Sequence, residues 1–356
     1  MQLISTEVVE MCPCCGKRGT SVYTKLQDRV FDSPGEWELF ECETCDVYWL
    51  NPRPIQRDRE GLYANYYTHA GVPTGQMFLS YVRAWLDGRV LNTSAWTALR
   101  TDQQDVKSEP ALAHGGAARW LETLMGAVSM RAGRARRSKL LRLMEIENLR
   151  PGRVLDIGCG SGEFLGTLVQ LGWEGVGIEP DRIAAQYARE RHGVTVFEDE
   201  LSPETVEASA FDLVVLSHVI EHSSAPGSLL SESHRVLRPG GHLVLVTPNV
   251  RSLGHRIFGE AWRGLEPPRH MYLFSPRSLR LLTRAAGFRE VSWKTSGREM
   301  RNIWFASRAI QLRNAGETGV PSFADYVESQ AMGVAAGLAS HVFKESGEEI
   351  FLVAEK

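Results

Sequence analysis

Residues 153–162, Arg-Val-Leu-Asp-Ile-Gly-Cys-Gly-Ser-Gly, restrict the fold of this chain more than any other stretch. The apolar run at 154–157 predicts a strand buried on both faces of a parallel sheet. Glycine then recurs at alternate positions up to Gly162, which permits left-handed backbone and brings a ligand close to the main chain. Because residues 163–171 continue with helical apolar spacing, the stretch predicts a strand, a glycine turn and a helix, which together form a nucleotide site.

The charges around this turn indicate which nucleotide it binds. A dinucleotide turn has a third glycine three positions after the second and a pyrophosphate on the helix N-terminus, but here that position is Glu163. Glu163 and Asp156 would repel a diphosphate and suit a ligand with an amino group. The next predicted strand ends before Glu179, whose carboxylate is placed to accept hydrogen bonds from two ribose hydroxyls. We therefore expect a ligand with an adenosine-type ribose, a positive end and no phosphate, the alternative being an ordinary tight turn.

The chain resembles the class I S-adenosylmethionine-dependent methyltransferases through four motifs in their order and spacing. They are VLDIGCGSGEFL (154–165), GVGIEP (175–180), FDLVVLSHVIEH (211–222) and RVLRPGGHLVLVTPN (235–249). The resemblance implies that the glycine turn lies under the methionine part of the cofactor and that Glu179 holds the ribose. It also implies that Asp199 meets the adenine amine and that Ser217 and His218 face the sulfonium. The full set of cofactor-binding residues predicted in this way is Asp156, Gly158, Cys159, Gly160, Glu179, Pro180, Asp199, Ser217 and His218.

Strands and helices alternate through the C-terminal half, which predicts an α/β fold with a doubly wound, mostly parallel sheet. The strands are predicted at 153–157, 174–178, 194–197, 211–216 and 242–247, and the helices at 161–171, 181–191 and 226–237. A capped helix at 275–287 and a strand at 288–293 follow. The resemblance implies a Rossmann-like sheet of seven strands whose last strand, at 349–354, is antiparallel. An insert at 297–347 is expected to wall the substrate pocket or to form the contact of a homodimer.

Five of the six cysteines lie in the first 45 residues. Two Cys-x-x-Cys pairs, with a 26-residue separation, supply the four soft ligands of a tetrahedral structural zinc site. The predicted ligands are Cys12, Cys15, Cys42 and Cys45. Cys14 is a spare thiol that could replace a neighbour, and Asp46 stands where such a turn often has glycine. Alternating residues at 21–24, 37–41 and 47–50 predict a small ribbon that residues 51–54 end; unrelated buried cysteines are the alternative.

The chain divides into three predicted parts: a zinc-ribbon-like module at 1–54, a helical linker or lid region at 55–150, and a methyltransferase domain at 151–356. The middle part has helical apolar spacing at 77–90 and 117–130, and its softer stretch at 100–116 is the candidate for a mobile loop. The basic stretch at 131–142 is predicted to be a solvated helix face, with a phosphorylated or nucleic-acid substrate as the alternative. Tyrosines at 61–67 either pack in a core or cover the sulfonium.

Composition excludes few classes of function. The 356 residues carry a net charge of −3, which gives no general attraction to nucleic acid or anionic membranes. Residues 12–60 hold seven basic and nine acidic side chains, so this module lacks the excess of basic residues expected of a nucleic-acid-binding module. No apolar stretch is long enough to span a membrane, and the first residues lack the pattern of an export signal. We expect a cytoplasmic enzyme.

Histidine is the natural general base for methyl transfer to a hydroxyl, because it titrates near neutral pH. His222 and His270 are the two candidates, and the remaining alternative is that no protein base is needed. His218 is expected to shape the cofactor site instead. Glu221 either orients His222 or binds a metal.

The predicted function is transfer of a methyl group from S-adenosylmethionine to a hydroxyl or amine of a small molecule. A sugar or a natural-product or polysaccharide precursor is suggested only by similarity to bacterial enzymes that combine a zinc ribbon with this domain. One alternative is a ribosomal or transfer RNA methyltransferase that reads RNA with its zinc module. Another is a zinc-scaffolded binding protein with an idle nucleotide fold.

Overall fold

A computed structural model describes residues 4–63, 140–317 and 319–356 of the chain. Several predictions lie outside these residues and stay predictions. They are the helical patches at 77–90 and 117–130, the loop at 100–116, the basic residues 131–139 and most of the tyrosines at 61–67.

The N-terminal region forms a small antiparallel ribbon, as its alternating residues predict. Its strands are β1 (Thr6–Glu7), β2 (Thr20–Leu26), β3 (Trp37–Glu41), β4 (Tyr48–Leu50) and β5 (Arg53–Pro54). The ribbon sheet ends with β4 before residues 51–54, as predicted, and β5 pairs instead with β1 in a separate two-stranded sheet. Pro54 is tolerated there because a proline in an edge strand need not donate a ladder hydrogen bond.

The C-terminal half is built around a seven-stranded sheet with helices between its strands. The remaining strands are β6 (Arg153–Ile157), β7 (Glu174–Ile178), β8 (Thr195–Phe197), β9 (Phe211–Ser217), β10 (Leu237–Pro248), β11 (Tyr272–Leu273), β12 (Arg289–Ser296) and β13 (Glu349–Glu355). The helices are α1 (Gln56–Arg59), α2 (Glu163–Gln170), α3 (Arg182–His192), α4 (Pro226–Val236), α5 (Leu253–Phe258), α6 (Pro276–Ala285), α7 (Met300–Asn314) and α8 (Phe323–Val342). These bounds agree closely with the predicted strands and helices.

The strand order in the large sheet is β12-β13-β10-β9-β6-β7-β8. Strands β6 to β10 pair in parallel, while β13 runs antiparallel to both β10 and β12, which confirms the predicted fold class. The chain moves from β6 to β7 on one side and later to β9 on the other. Ligands of open α/β sheets bind at such a switch point, outside the carboxyl ends of the strands. Helix caps agree with the sequence: the Asp181 side chain caps α3, and Ser275 caps α6 with a capping box.

The ribbon and the C-terminal half share a sheet and a core. Strand β11 pairs antiparallel with β4, with Tyr272 opposite Trp49, so the four-stranded sheet has the order β11-β4-β3-β2. One apolar cluster joins Trp37 and Leu50 of the ribbon to Trp262. Sequence reasoning did not predict this junction, because a two-residue strand more than 200 positions away has no periodicity of its own.

The insert between β12 and β13 forms the helical pair α7 and α8, near the two predicted apolar patches. Large apolar side chains on α8 are exposed, among them Val334 and Leu338. Whether the insert walls a pocket or forms a homodimer contact stays a prediction. In the part of the chain that is described, every helix is too short or too polar to cross a membrane.

Candidate functional site

The glycine turn after β6 is fixed by hydrogen bonds to β7. The N–H groups of Gly158 and Cys159 donate to the carbonyl of Ile178 at 2.7 and 3.1 Å, and the N–H of Gly160 donates to Glu179 Oε2 at 2.8 Å. Gly158 has a φ of 67°, and a Cβ there would lie 2.6 Å from a methyl carbon of Val219. Glycine is therefore required at this position by both conformation and space.

These donors are turned toward the protein, which bears on the kind of ligand the turn accepts. A pyrophosphate site uses free backbone N–H groups at the helix N-terminus. Here the N–H groups of residues 158–160 in the turn already donate to Ile178 on β7 and to Glu179. Helix α2 then begins with the acidic Glu163. The arrangement supports the predicted ligand without phosphates.

Glu179 and Asp156 form the acidic floor of this turn. Glu179 is 8% exposed, and its Oε1 accepts a hydrogen bond from the N–H of Asp181 at 2.9 Å. Because each carboxylate oxygen can accept two hydrogen bonds, these contacts do not preclude ribose hydroxyls. Burial and the nearby charge of Glu179 raise the pKa of Asp156 to about 8. Two buried carboxyls close enough for one to raise the pKa of the other favour a positively charged ligand.

This raised pKa predicts proton release when the cofactor binds. At pH 7, roughly nine in ten Asp156 carboxyls hold a proton in the free protein. A cationic ligand stabilises the ionised form, so affinity should rise with pH up to about 8 and the proton should be lost on binding. Calorimetry at pH 7 in two buffers of different ionisation enthalpy should show the release, and Asp156→Asn should remove it. A wild-type enthalpy that does not depend on the buffer would contradict the assignment.

The other predicted cofactor residues lie at the same edge of the sheet. Cys159 is buried, and its Sγ fills the space above Gly177, where a Cβ would lie 2.5 Å away. Pro180 is exposed beside Glu179. Asp199 is also exposed, and its Oδ1 accepts a hydrogen bond from the N–H of Glu200 at 2.7 Å.

Sequence reasoning missed Phe197 at the end of β8. Its side chain is 39% exposed, and its carbonyl accepts the N–H of Glu179 at 2.9 Å. Phe197 is thus bonded through its backbone to the residue predicted to hold the ribose, and it lies two positions before Asp199. The available signal was an aromatic residue at the carboxyl end of a parallel strand.

The turn after β9 places Ser217 and His218 opposite the glycine turn. His218 has a φ of 57°, and its imidazole lies between Glu349, at 3.1 Å from Nε2, and Glu221, at 3.3 Å from Nδ1. Burial opposes the charged ring, but the two carboxylates raise the pKa of His218 to about 10. Arg298 also contacts Glu349, at 2.9 Å. His218 is thus a cation held between two carboxylates, and Glu349 and Arg298 were not predicted from the sequence.

His222 and His270, predicted separately, meet in the structure. Their ring centroids are 4.7 Å apart at an interplanar angle of 64°. His222 Nδ1 donates to the carbonyl of Arg269 at 3.1 Å, and His270 Nδ1 donates to the carbonyl of Gly264 at 2.7 Å. Since a carbonyl only accepts, each neutral ring carries its lone pair on Nε2. His270 is buried, which lowers its pKa to about 4.

Glu221 is fully buried beneath this pair. Its Oε2 accepts a hydrogen bond from Thr247 at 2.9 Å, and despite burial the contact with His218 lowers the pKa of Glu221 to about 2. Ligand atoms of Glu221, His222 and His270 lie within 4.8 Å of one another, so these three could also hold a divalent cation. A base role and a metal role exclude each other at one histidine nitrogen, because a coordinated lone pair cannot accept a proton.

The four predicted zinc ligands converge in the ribbon. The Sγ distances are 3.4 Å for Cys12 to Cys45, 3.4 Å for Cys15 to Cys42 and 3.8 Å for Cys15 to Cys45. A tetrahedral site with Zn–S bonds of about 2.3 Å requires sulfur atoms about 3.8 Å apart. The four cysteines therefore fit a closed zinc site, which leaves no open position for chemistry.

The two cysteine turns have the same backbone. The N–H of Gly16 donates to the carbonyl of Cys12, and the N–H of Asp46 donates to the carbonyl of Cys42. Gly16 and Asp46 have φ values of 69° and 60°. Asp46 thus adopts the left-handed conformation of the glycine it replaces, which aspartate tolerates better than most residues.

Known proteins are similar to part of this chain. A family model described as a methyltransferase domain matches residues 129–292. A ubiquinone biosynthesis O-methyltransferase of Cereibacter sphaeroides is 32% identical over 165 residues, 40% of this chain and 67% of the relative. A tRNA U34 carboxymethyltransferase of Pseudoalteromonas translucida is 30% identical over 179 residues, 47% of this chain and 56% of that protein.

Two further matches cover different shares. A protein in transposon TN4556 of Streptomyces fradiae is 34% identical over 119 residues, but these span 34% of that protein and 31% of this chain. The crystal structure of a SAM-dependent methyltransferase from Archaeoglobus fulgidus has 19% identity and a TM-score of 0.43, over 64% of this chain and 94% of its own. From the family model and the ubiquinone-pathway relative, we conclude that this chain belongs to the S-adenosylmethionine-dependent methyltransferases.

Proposed function

We propose that this chain transfers a methyl group from S-adenosylmethionine to a hydroxyl or amine of a small molecule. The observation that carries the proposal is the His222 and His270 pair with its ring orientations fixed. His222 follows β9 by five residues, His270 precedes β11 by two, and Glu179 follows β7. The cofactor is proposed to bind at Asp156 and Glu179, and the acceptor is proposed to bind beside the two histidines.

The proposed reaction is an in-line displacement at the methyl carbon. The acceptor oxygen or nitrogen forms a bond to this carbon while the bond to sulfur breaks, which leaves S-adenosylhomocysteine. His222 takes the acceptor proton on Nε2, because its Nδ1 is held by the carbonyl of Arg269. The resulting imidazolium lies near the buried carboxylate of Glu221. A positioned base of this kind contributes roughly 10² to 10⁴ in rate.

His222→Gln should reduce methyl transfer about 100-fold or more, because the proton acceptor is lost. His270→Gln should cost less, since His270 is buried behind His222 and holds its ring. His242→Gln is the matched control, since His242 lies within β10, six residues before its carboxyl end. The rate is measured as transfer of labelled methyl from S-adenosylmethionine to a small-molecule cell extract. Full turnover by both His222→Gln and His270→Gln, or a requirement for added Mg²⁺ or Mn²⁺, would contradict the base role.

The acceptor class is inferred from the family and not from a pocket shape. A small molecule such as a sugar or a natural-product or polysaccharide precursor agrees with the ubiquinone-pathway relative and with the acidic balance of the ribbon. Mass spectrometry of the labelled product from the extract identifies the acceptor. Label found only in macromolecules would contradict a small acceptor.

An RNA acceptor is the second candidate, because one relative is named for a tRNA nucleotide. Binding of this kind neutralises phosphates and releases counterions, so affinity falls steeply with salt. RNA affinity that drops about 10³-fold between 50 and 200 mM salt, with label recovered in RNA, would favour this candidate.

We further propose that the four cysteines bind one structural Zn²⁺. The sulfur spacing and the two matching turns support this ligand set. A closed thiolate site stabilises the fold and takes no part in the reaction.

A further inference from the structure

Arg269 is a buried cation between the ribbon and the histidine pair. Its side chain is 0% exposed, its Nη1 donates to Asp28 Oδ2 at 2.9 Å, and its Nε donates to Glu266 Oε1 at 2.9 Å. A second bond from Nη1 reaches Ser33 Oγ at 3.1 Å. Such buried pairs add little net stability, because desolvation offsets the attraction, but the three bonds made by Nη1 and Nε fix the orientation of the guanidinium. Its buried Nη2 has no hydrogen-bond partner among the described residues.

The backbone of the same residue holds the proposed base. The carbonyl of Arg269 accepts the Nδ1 hydrogen of His222 at 3.1 Å. The N–H groups of Arg269 and His270 both donate to the carbonyl of Glu266, at 2.9 and 3.1 Å. The buried guanidinium and the carbonyl that selects the tautomer of His222 therefore belong to the same residue.

On the ribbon side, Arg269 is held by Asp28, which makes several further hydrogen bonds. Asp28 follows β2, and its side chain is buried. It accepts three further hydrogen bonds from the N–H groups of Val30, Phe31 and Ser33, at 2.9 to 3.0 Å. The guanidinium carbon of Arg269 lies 4.2 Å from the centroid of the Phe31 ring. Asp28 thus connects the backbone of the β2–β3 loop to the side chain of Arg269 by hydrogen bonds.

A second path runs through the shared sheet. The N–H of Leu50, on β4, donates to the carbonyl of Met271 at 2.9 Å, and the N–H of Met271 donates to the carbonyl of Glu221 at 2.8 Å. Strand β4 begins three residues after Cys45, a predicted zinc ligand. The zinc-bearing turns are therefore connected by backbone hydrogen bonds to both segments that carry a histidine.

We propose that Arg269 and Asp28 are positioning residues, through which the zinc-bearing ribbon holds His222 in the Nδ1–H tautomer beside His270. The ribbon is on this account part of the catalytic apparatus and not an appended module. The inference rests on the proposed role of His222 only for its effect on rate, since the tautomer can be observed without cofactor or acceptor.

Asp28→Asn tests the proposal, with Asp32→Asn as the matched control. Asp32 lies in the same loop between β2 and β3, and its carboxylate pairs with Arg313 of α7, at 3.4 Å, instead of Arg269. In full-length protein with ¹⁵N-labelled histidine, two-bond ¹⁵N–¹H spectra report the tautomer, and His222→Gln assigns the signal. Wild type and Asp32→Asn should show Nδ1–H at His222, whereas Asp28→Asn should show a mixture of tautomers.

The rate of methyl transfer should fall in variants in which His222 loses the Nδ1–H tautomer. Transfer of labelled methyl to the cell extract should fall roughly 10- to 100-fold in Asp28→Asn with the KM for S-adenosylmethionine unchanged, as expected of lost orientation. Removal of zinc with a chelator should alter the His222 signal in the same way. If Asp28→Asn does not fold, Arg269→Lys replaces it, since lysine keeps the charge but cannot bridge two carboxylates in the same plane.

An unchanged His222 signal in folded Asp28→Asn or Arg269→Lys overturns the positioning proposal. A lost Nδ1–H signal with an unchanged rate supports positioning and overturns the base role of His222 instead. Calorimetry with S-adenosylhomocysteine decides the cofactor assignment separately, because neither variant touches the glycine turn.

Discussion

Glu179→Ala should lower the affinity for S-adenosylhomocysteine by at least about 100-fold. The carboxylate is expected to accept both ribose hydroxyls, and each charge-assisted hydrogen bond contributes roughly 1.5 to 3 kcal/mol. It also accepts the N–H groups of Gly160 and Asp181, so its loss should loosen the turn that is predicted to lie under the cofactor. Isothermal calorimetry measures the affinity, and a thermal scan confirms that the fold is kept.

The matched control is Glu190→Ala on helix α3. Glu190 is exposed and accepts a hydrogen bond from Gln186, on its own helix. Its loss should leave the affinity unchanged. Equal affinities of wild type and Glu179→Ala would place the ligand elsewhere and refute the assignment of the site.

The second large effect is expected at the cysteine cluster. Cys42→Ser should release the zinc and unfold the ribbon, because a structural site of this kind contributes its binding free energy to folding. Cys42 is 0% exposed and packs in the same apolar cluster as Val47 and Trp49, so collapse of the ribbon should reach the large core. Metal analysis should fall from about one zinc per chain to near zero. The melting temperature should fall by at least about 5 °C.

Cys14→Ser tests whether Cys14 is a zinc ligand or a spare thiol. Cys14 lies between two ligands in sequence, and its N–H donates to Cys12 Sγ at 3.4 Å, a contact that serine retains because it comes from the backbone. This variant should keep its zinc. Wild-type protein purified without zinc would end the metal assignment, and zinc loss from Cys14→Ser would revise the ligand set.

Much of the geometry of the candidate cofactor site could be predicted from the sequence because its determinants are local, while the cofactor-binding roles of its residues stay predictions. The glycine turn, Asp156 and Glu179 belong to two consecutive strands whose pairing follows from strand and helix alternation. The cysteine turns are also local, since each places two ligands within four residues. In both cases the chain geometry between neighbouring positions fixes where the side chains go.

The histidine site depended on contacts that no local pattern encodes. The sequence put His222 and His270 forward separately, and only the fold showed that their rings meet 4.7 Å apart. Glu349 and Arg298, which hold His218, come from the last strand and the insert, far along the chain. These charged residues form one network of ion pairs. Which charged residues become buried together depends on the packing of the whole core.

Strand and helix spacing and turn residues were enough to predict the parallel sheet, the position of the glycine turn and the four clustered cysteines. The folded chain was needed to show that the ribbon shares a sheet with the segment after His270, and that Asp28 reaches Arg269 across 241 positions. The physical reason is that periodicity and turn chemistry act over a few residues. Strand registry and the pairing of buried charges are instead selected by the packed core as a whole.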